Sequence, residues 1–285
     1  MAMLKRLLSS GLGLMVLAAF IYSISDILNK LLTLSLPITE IAFFRFFLGG
    51  MILWPILVSR RISLKGNQIW ALILRGIFGT VSFFCLLESM ARIPISLTMV
   101  LFYTFPIFTA FFSFLLLGET IKKKGFALIV IGLAGIFILM NPSLHSFNQG
   151  YLFALLASLI GAMAMVMTRK ARGTNGALII YFYFCMVGGA ISFPFFLYHF
   201  KMPNLQEGVL LFSLGVLLLV AQVMMNHGFK YCKAAEGSLI LMSEVVFTGM
   251  AGIYLFRDPM TVHFGVGALL IVVSGFGLNW VSRKS

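Results

Sequence analysis

Ten apolar stretches, each close to the length that crosses a bilayer, follow one another along this chain with only short connections between them. They run over roughly 11–32, 38–58, 68–90, 96–117, 123–140, 150–168, 177–198, 208–229, 237–256 and 261–281. At about 1.5 Å per residue a 20-residue helix reaches about 30 Å, the thickness of the hydrocarbon layer. Hydrophobic residues make up 61% of the chain and charged ones 10%, more apolar surface than one aqueous core can hide, so lipid is the expected solvent. Backbone groups in lipid must be satisfied internally, which leaves helices or closed barrels, and these stretches are too long for barrel strands. The expected fold class is all-α: a polytopic membrane protein of ten transmembrane helices.

The basic residues are distributed unevenly over the connections. Fifteen, among them Lys5, Arg6, Arg60, Arg61, Lys122, Arg169, Lys170, Lys230 and Arg283, fall on one side of the expected topology, and four, Lys30, Arg92, Lys201 and Arg257, on the other. The positive-inside bias places both termini in the cytoplasm, in what is expected to be a bacterial inner membrane. The net charge of +13 therefore reads as headgroup anchoring and topology rather than as a nucleic-acid surface. Lys5 and Arg6 before an apolar run imitate a signal peptide, but the run continues into Asp26, Asn29 and Lys30, so an uncleaved first helix is expected. Cys85, Cys185 and Cys232 lie in or beside apolar spans without metal or redox spacing, and neither disulfide, metal nor cofactor is expected.

Sliding the chain against itself by 139 residues aligns Pro106-Ile-Phe-Thr with Val245-Val-Phe-Thr, so that Phe108 meets Phe247, Thr109 meets Thr248 and Glu119 meets Asp258. The chain thus reads as a duplication with units at 1–145 and 146–285, five helices each. An odd number of crossings turns the second unit over, giving two inverted five-helix repeats, an arrangement that serves alternating access in transporters. Tyr103-Thr-Phe-Pro106-Ile-Phe, Leu116-Leu-Gly-Glu119, Gly125 and Gly132 resemble the EamA-type repeat of the drug/metabolite transporter superfamily, and Ser243-Glu244-Val-Val-Phe247 with Arg257-Asp258 resembles its second copy. Val245 stands where a proline is common in that second copy. Asp26 with Lys30, Glu40-Ile-Ala-Phe-Phe-Arg45 and Leu74-Arg75-Gly76 resemble the branch that includes S-adenosylmethionine uptake and organic-anion carriers. These resemblances imply a transporter over essentially the whole chain.

Charges at membrane depth single out the candidate site, because burying an ionised side chain there costs about 3 kcal/mol or more unless it faces a wet cavity or a partner. Arg45 and Asp26 enter from the outer side and Arg75 and Glu244 from the cytoplasmic side. Their depths suggest an outer pair, Asp26–Arg45, and an inner pair, Arg75–Glu244. A guanidinium grips a carboxylate or phosphate through parallel hydrogen bonds, and a buried carboxyl suits a substrate amine or a coupling proton. The expected substrate-binding set is Arg45, Asp26, Tyr103, Arg75, Glu244, Asn226, Gln222 and Tyr22, with Tyr181 and Tyr183 as further cavity aromatics. Glu88, Glu40, His227 and Lys30 are the expected gating or proton-coupling residues. Glu119 with Thr120, and Asp258 before Pro259, read as caps of the fifth and tenth helices, Gly132, Gly135, Gly267, Gly275 and Gly277 as close helix packing, and the thirty phenylalanines mostly as lipid-facing bulk.

No G-x-x-x-x-G-K-[ST] sequence and no long loop for a nucleotide domain occurs, so the expected function is secondary transport, not ATP-driven pumping or catalysis. The partners are a small zwitterionic or anionic organic metabolite (an amino acid, a carboxylate or an S-adenosylmethionine-like solute), the lipid bilayer and a coupling proton, with the chain acting as monomer or homodimer. Alternatives are a multidrug exporter of the same fold, which would favour an apolar cavity with one acid, a lipid flippase, and a membrane-embedded non-transport protein.

Overall fold

A computed structural model describes residues 11–93, 95–119, 123–140, 148–198, 200–256 and 262–283. The described residues form helices and no strand: α1 (Gly11–Leu32), α2 (Ile38–Ser59), α3 (Ile69–Arg92), α4 (Ile95–Phe102), α5 (Phe105–Leu117), α6 (Lys123–Met140), α7 (Gln149–Arg172), α8 (Ala177–Tyr198), α9 (Leu205–Gly228), α10 (Ala234–Leu241), α11 (Ser243–Phe256) and α12 (Val262–Arg283). Six of them, α1, α2, α3, α7, α8 and α9, are long and apolar enough to cross a membrane. Large apolar side chains such as Phe111, Phe137, Leu197 and Leu269 remain on the outer surface, as a lipid-solvated protein requires.

Two of the expected single spans are broken in two. The stretch 96–117 stops after Phe102 and restarts at Phe105, and the stretch 237–256 stops after Leu241 and restarts at Ser243. Pro106, in the first turn of α5, has no N–H to continue the ladder. The second break has Val245 at that position, and what it shares with the first is a hydroxyl. Thr104 Oγ1 donates to the Leu101 carbonyl at 2.7 Å and Ser243 Oγ to the Ile240 carbonyl at 2.8 Å, positions 139 residues apart. A short polar side chain that satisfies a carbonyl at a break lowers the cost of interrupting a helix in lipid, proline or not.

Packing divides the interior into a small cluster of Val166, Met167 and Ala234 and two large apolar cores. One gathers Met15, Met90, Met99, Phe105, Ile129, Phe229, Leu239 and Val245, the other Leu32, Ile41, Phe46, Leu53, Leu72, Tyr181, Phe184 and Leu214, and Tyr22 packs against both. The most extensive helix contacts are α3 with α7, α6 with α12, α1 with α9, and α2 with α8. Glycines permit several of these approaches. A Cβ on Gly76 of α3 would lie 2.6 Å from Val187 of α8, and one on Gly135 of α6 would lie 2.9 Å from the Gly267 carbonyl oxygen of α12. Gly132 and Gly135 thus serve close packing as their sequence context suggests, whereas Gly275 and Gly277 fall among positions whose side-chain surroundings are not described.

Because the atom facing Gly135 is backbone, it cannot swing aside. Gly135→Val should separate α6 from α12 and destabilise the fold by about 1–3 kcal/mol, read as a lowered thermal midpoint of the detergent-solubilised protein. Gly189→Ala, where an added Cβ meets nothing within 4 Å, should leave the midpoint unchanged or slightly raised.

Candidate functional site

Where the two cores meet, ten of the helices enclose a cavity of about 100 Å³ lined by Tyr22, Asp26, Asn29, Arg45, Arg75, Gly79, Ser82, Phe83, Leu86, Phe102, Tyr103, Phe105, Gly161, Ala164, Met165, Phe184, Leu218, Gln222, Met225, Leu241 and Glu244. Among the described residues, only α6 and α12 contribute nothing to it. The helical period explains the wall from α3: Arg75, Gly79, Ser82, Phe83 and Leu86 recur at three- and four-residue steps and so share one face. The break before α5 brings in Tyr103 and Phe105, and the break before α11 brings in Glu244.

Seven of the expected binding residues line this cavity: Tyr22, Asp26, Arg45, Arg75, Tyr103, Gln222 and Glu244. Their pairing differs from the expectation. Among the described residues the ion pairs are Arg92–Glu88 and Arg169–Glu119, so neither Asp26–Arg45 nor Arg75–Glu244 forms. The charges sort by sign instead. Asp26 and Glu244 are neighbours, with Asn29 beside Asp26 and the Tyr103 hydroxyl beside Glu244. The guanidiniums rest on aromatic rings: Arg45 Cζ lies 3.7 Å from the Phe83 centroid and 5.5 Å from that of Phe184, and Arg75 Cζ lies 4.1 Å from Phe184. A ring face attracts a cation without occupying its N–H donors, which lie in the guanidinium plane. Arg75 Nη2 donates to Gln222 Oε1 at 3.0 Å, but Arg75 Nε and Nη1, Arg45 Nε, Asp26 Oδ2 and Asn29 Oδ1 are buried without a protein partner. Tyr22 stands between the poles, within electrostatic reach of Arg45, Arg75, Glu244 and Asp26.

The remaining candidates lie elsewhere. Asn226, one turn beyond Gln222, is buried against the start of α8, where its amide donates to the Ala177 carbonyl at 3.4 Å. Glu88 pairs with Arg92 at 2.7 Å on the surface. Glu40 accepts the Lys201 backbone N–H at 3.3 Å, and His227 sits 5.7 Å from the Tyr231 ring. Lys30 donates to the Met90 carbonyl at 2.6 Å. Tyr181 and Tyr183 are outside the lining, the latter accepting the Gly66 N–H at 3.4 Å. Glu119 binds Arg169 and the backbone N–H of Ala234, at the start of α10; the backbone it was expected to cap, at 120–122, lies outside the described residues. Thr120, Asp258 and Pro259 lie outside the described residues. Phe83, Phe102, Phe105 and Phe184 are exceptions to the reading of phenylalanine as mostly lipid-facing bulk, and for Phe83 the signal was present, since it lies eight residues after Arg75 on the same helical face.

Comparison with known proteins bears on what such a cavity does. The model of the EamA-like transporter family matches this chain twice, over residues 9–141 and 148–280. The chain belongs to the EamA-like transporter family. It is 29% identical over 283 residues to the pseudopaline exporter CntI of Pseudomonas aeruginosa, covering 97% of this chain and 98% of the relative. It is 26% identical to the S-adenosylmethionine uptake transporter of Rickettsia prowazekii, covering 97% and 94%. A solved crystal structure shares the fold with a TM-score of 0.80 at 19% identity, over 95% of this chain and 98% of that one. This EamA-family protein is therefore an integral membrane transporter, not an enzyme, and its named relatives move small metabolites.

Gly79 gives the site a sharp test, because a side chain there would collide with Arg75 Nη1, the movable end of a long side chain, and would also approach the Phe184 ring. Gly79→Ala should fold with wild-type yield while displacing the Arg75 guanidinium from Phe184. Binding of whichever small solute the protein transports should weaken about tenfold, the scale of one lost charge-assisted hydrogen bond, as measured by competition in membrane vesicles.

Proposed function

We propose that this protein is a secondary transporter of a small polar organic metabolite bearing a carboxylate, zwitterionic or anionic, moved by alternating access through two inverted repeats. The observation that carries the reading is the cavity itself: two guanidiniums with unused donors and two adjacent carboxyls converge on one buried space. A solute carboxylate supplies acceptors to Arg45 and Arg75, and an ammonium or other cationic group on the same solute has a place beside Asp26 and Glu244. Relatives named as a pseudopaline exporter and an S-adenosylmethionine uptake transporter support the reading of a small-metabolite carrier. A proton entering the cavity would meet the Asp26–Glu244 pair rather than Glu88, Glu40 or His227, so coupling, where a proton drives it, belongs on that pair. A multidrug exporter would have no use for two buried guanidiniums.

The lining supports the repeat. Sixteen of its twenty-one positions form eight pairs 139 residues apart: Tyr22/Gly161, Asp26/Met165, Arg45/Phe184, Gly79/Leu218, Phe83/Gln222, Leu86/Met225, Phe102/Leu241 and Phe105/Glu244. The two family-model matches are offset by the same 139 residues. Helix contacts agree with an approximate two-fold axis, because exchanging the halves turns α3–α7 into α9–α1 and returns α2–α8 and α6–α12 to themselves. With α4–α5 and α10–α11 each counted as one broken span, ten crossings result, and five per half place the copies in opposite orientations. The basic-residue asymmetry then sets both termini in the cytoplasm of a bacterial inner membrane. One chain encloses the whole cavity, so a monomer suffices for transport.

Purified protein in liposomes, offered labelled methionine, S-adenosylmethionine, succinate and a carboxylate-free organic cation, tests this. At least one carboxylate-bearing solute should enter faster than into protein-free liposomes, and Arg45→Ala or Arg75→Ala should lower that uptake at least tenfold at equal incorporation. Transport confined to the organic cation, or uptake indifferent to both arginines, would overturn the reading.

A further inference from the structure

Away from the cavity, one carboxylate ties four elements together. Glu119 follows Gly118, whose φ of 65° turns the chain sharply at the end of α5, with the Glu119 N–H closing back on the Ser113 carbonyl at 3.2 Å. Its Oε1 accepts from Arg169 Nε of α7 at 3.1 Å, and its Oε2 accepts from the Ala234 N–H that opens α10 at 3.0 Å. Arg169 Nη1 in turn donates to the Phe229 carbonyl, just past α9, at 2.8 Å. The pair is partly shielded, with side-chain exposures of 29% and 15%, so salt and water screen it less than an open surface pair.

Subtracting 139 from Arg169 and Phe229 gives Lys30 and Met90, and Lys30 Nζ donates to the Met90 carbonyl at 2.6 Å. Each half therefore makes the same cation-to-carbonyl tie at the same repeat position, joining its first helix to the C-terminal end of its own third helix, α1 to α3 and α7 to α9. On the proposed topology the two ties sit at opposite membrane faces.

We propose that Glu119, Arg169 and the Phe229 carbonyl form the latch of the cytoplasmic gate, and that Lys30 with the Met90 carbonyl forms its counterpart at the outer gate. The latch reaches the cavity through α10. That helix is eight residues, about 12 Å, long; it starts at the Ala234 N–H held by Glu119 and ends at Leu241 in the cavity wall, with Glu244 just past the break. Gly237 seats it against the Phe229 ring, where an added Cβ would approach within 2.5 Å. Breaking the Glu119 contacts frees the cytoplasmic end of this lever, and its motion carries Leu241 and Glu244. Arg169 and Lys30 are positioning residues: they touch no cavity atom and act through the helices they hold.

This inference rests on the alternating-access reading, and cavity accessibility separates the two. Ala164→Cys, in the cavity wall, is placed in full-length protein whose Cys85, Cys185 and Cys232 are replaced by Ala. A membrane-impermeant maleimide is then applied to right-side-out and inside-out vesicles. Glu119→Gln and Arg169→Gln should each raise the labelling rate from the cytoplasmic face about tenfold and lower it from the outer face, the shift expected when one state alone loses a charge-assisted contact. Lys30→Met should do the reverse. A contact that merely stabilises the fold would, when removed, raise labelling from both faces together, and that result would overturn the latch, as would unchanged rates or the same direction of shift for Glu119→Gln and Lys30→Met. Should the parent protein let a small inert solute leak through sealed vesicles without saturation, the cavity is a pore, and the carrier reading fails along with the latch.

Discussion

A guanidinium removed from water must be compensated, and here the compensation for Arg45 and Arg75 is aromatic rather than ionic. Phe83 and Phe184 present ring faces at 3.7 and 4.1 Å, which hold each cation in place yet leave donors unspent. Had Asp26 and Glu244 closed on the arginines, the cavity would be electrically quiet and a solute would have to break two buried ion pairs to enter, at a cost of several kcal/mol. Keeping like charges together leaves both poles in need of a partner, the condition under which a charged solute displaces water favourably. Phe184 and Gln222 come from the second half of the chain and Arg75 from the first, so the seat of Arg75 is completed only when the halves are packed together.

The frame is nearly symmetric and its chemistry is not. Paired positions in the wall contrast an ionisable residue with an apolar or aromatic one: Asp26 with Met165, Arg45 with Phe184, Glu244 with Phe105. On the proposed reading, symmetry supplies two conformations of similar energy, while the unequal side chains give the solute one preferred orientation within them. Neither property requires the other, which explains how one fold serves relatives that carry different cargoes.

Much of this was legible before any coordinates. Hydropathy marked the helices, and charges that lipid would not tolerate marked the residues of the cavity, because the cost of burying them admits few alternatives. Depth along a helix, however, says nothing of azimuth. Arg75 and Glu244 lie at matching depth and still point to different partners, and Asn226, one turn from Gln222, overshoots the cavity and meets the α8 backbone. The far partners of Glu119 were hidden for a related reason: a cap is inferred from neighbours in sequence, whereas Arg169 and the Ala234 N–H lie in the other half. Both breaks lie inside stretches whose hydropathy reads as single spans, and the one at Met242 lacks even the proline signal, since Ser243 satisfies a carbonyl there with a hydroxyl.

That last difference makes the two broken spans mechanically unequal. In the first, Pro106 leaves the Phe102 carbonyl permanently without a helical donor, so the bend is built into the covalent structure. In the second, Val245 keeps its N–H, now given to the Met242 carbonyl at 3.1 Å, and straightening asks for that bond and the Met242 N–H bond to the Leu239 carbonyl (3.2 Å) each to shift by one residue, with a turn of the Ser243 hydroxyl. The duplicated chain thus carries one rigid elbow and one that can extend, and the supple one bears Glu244.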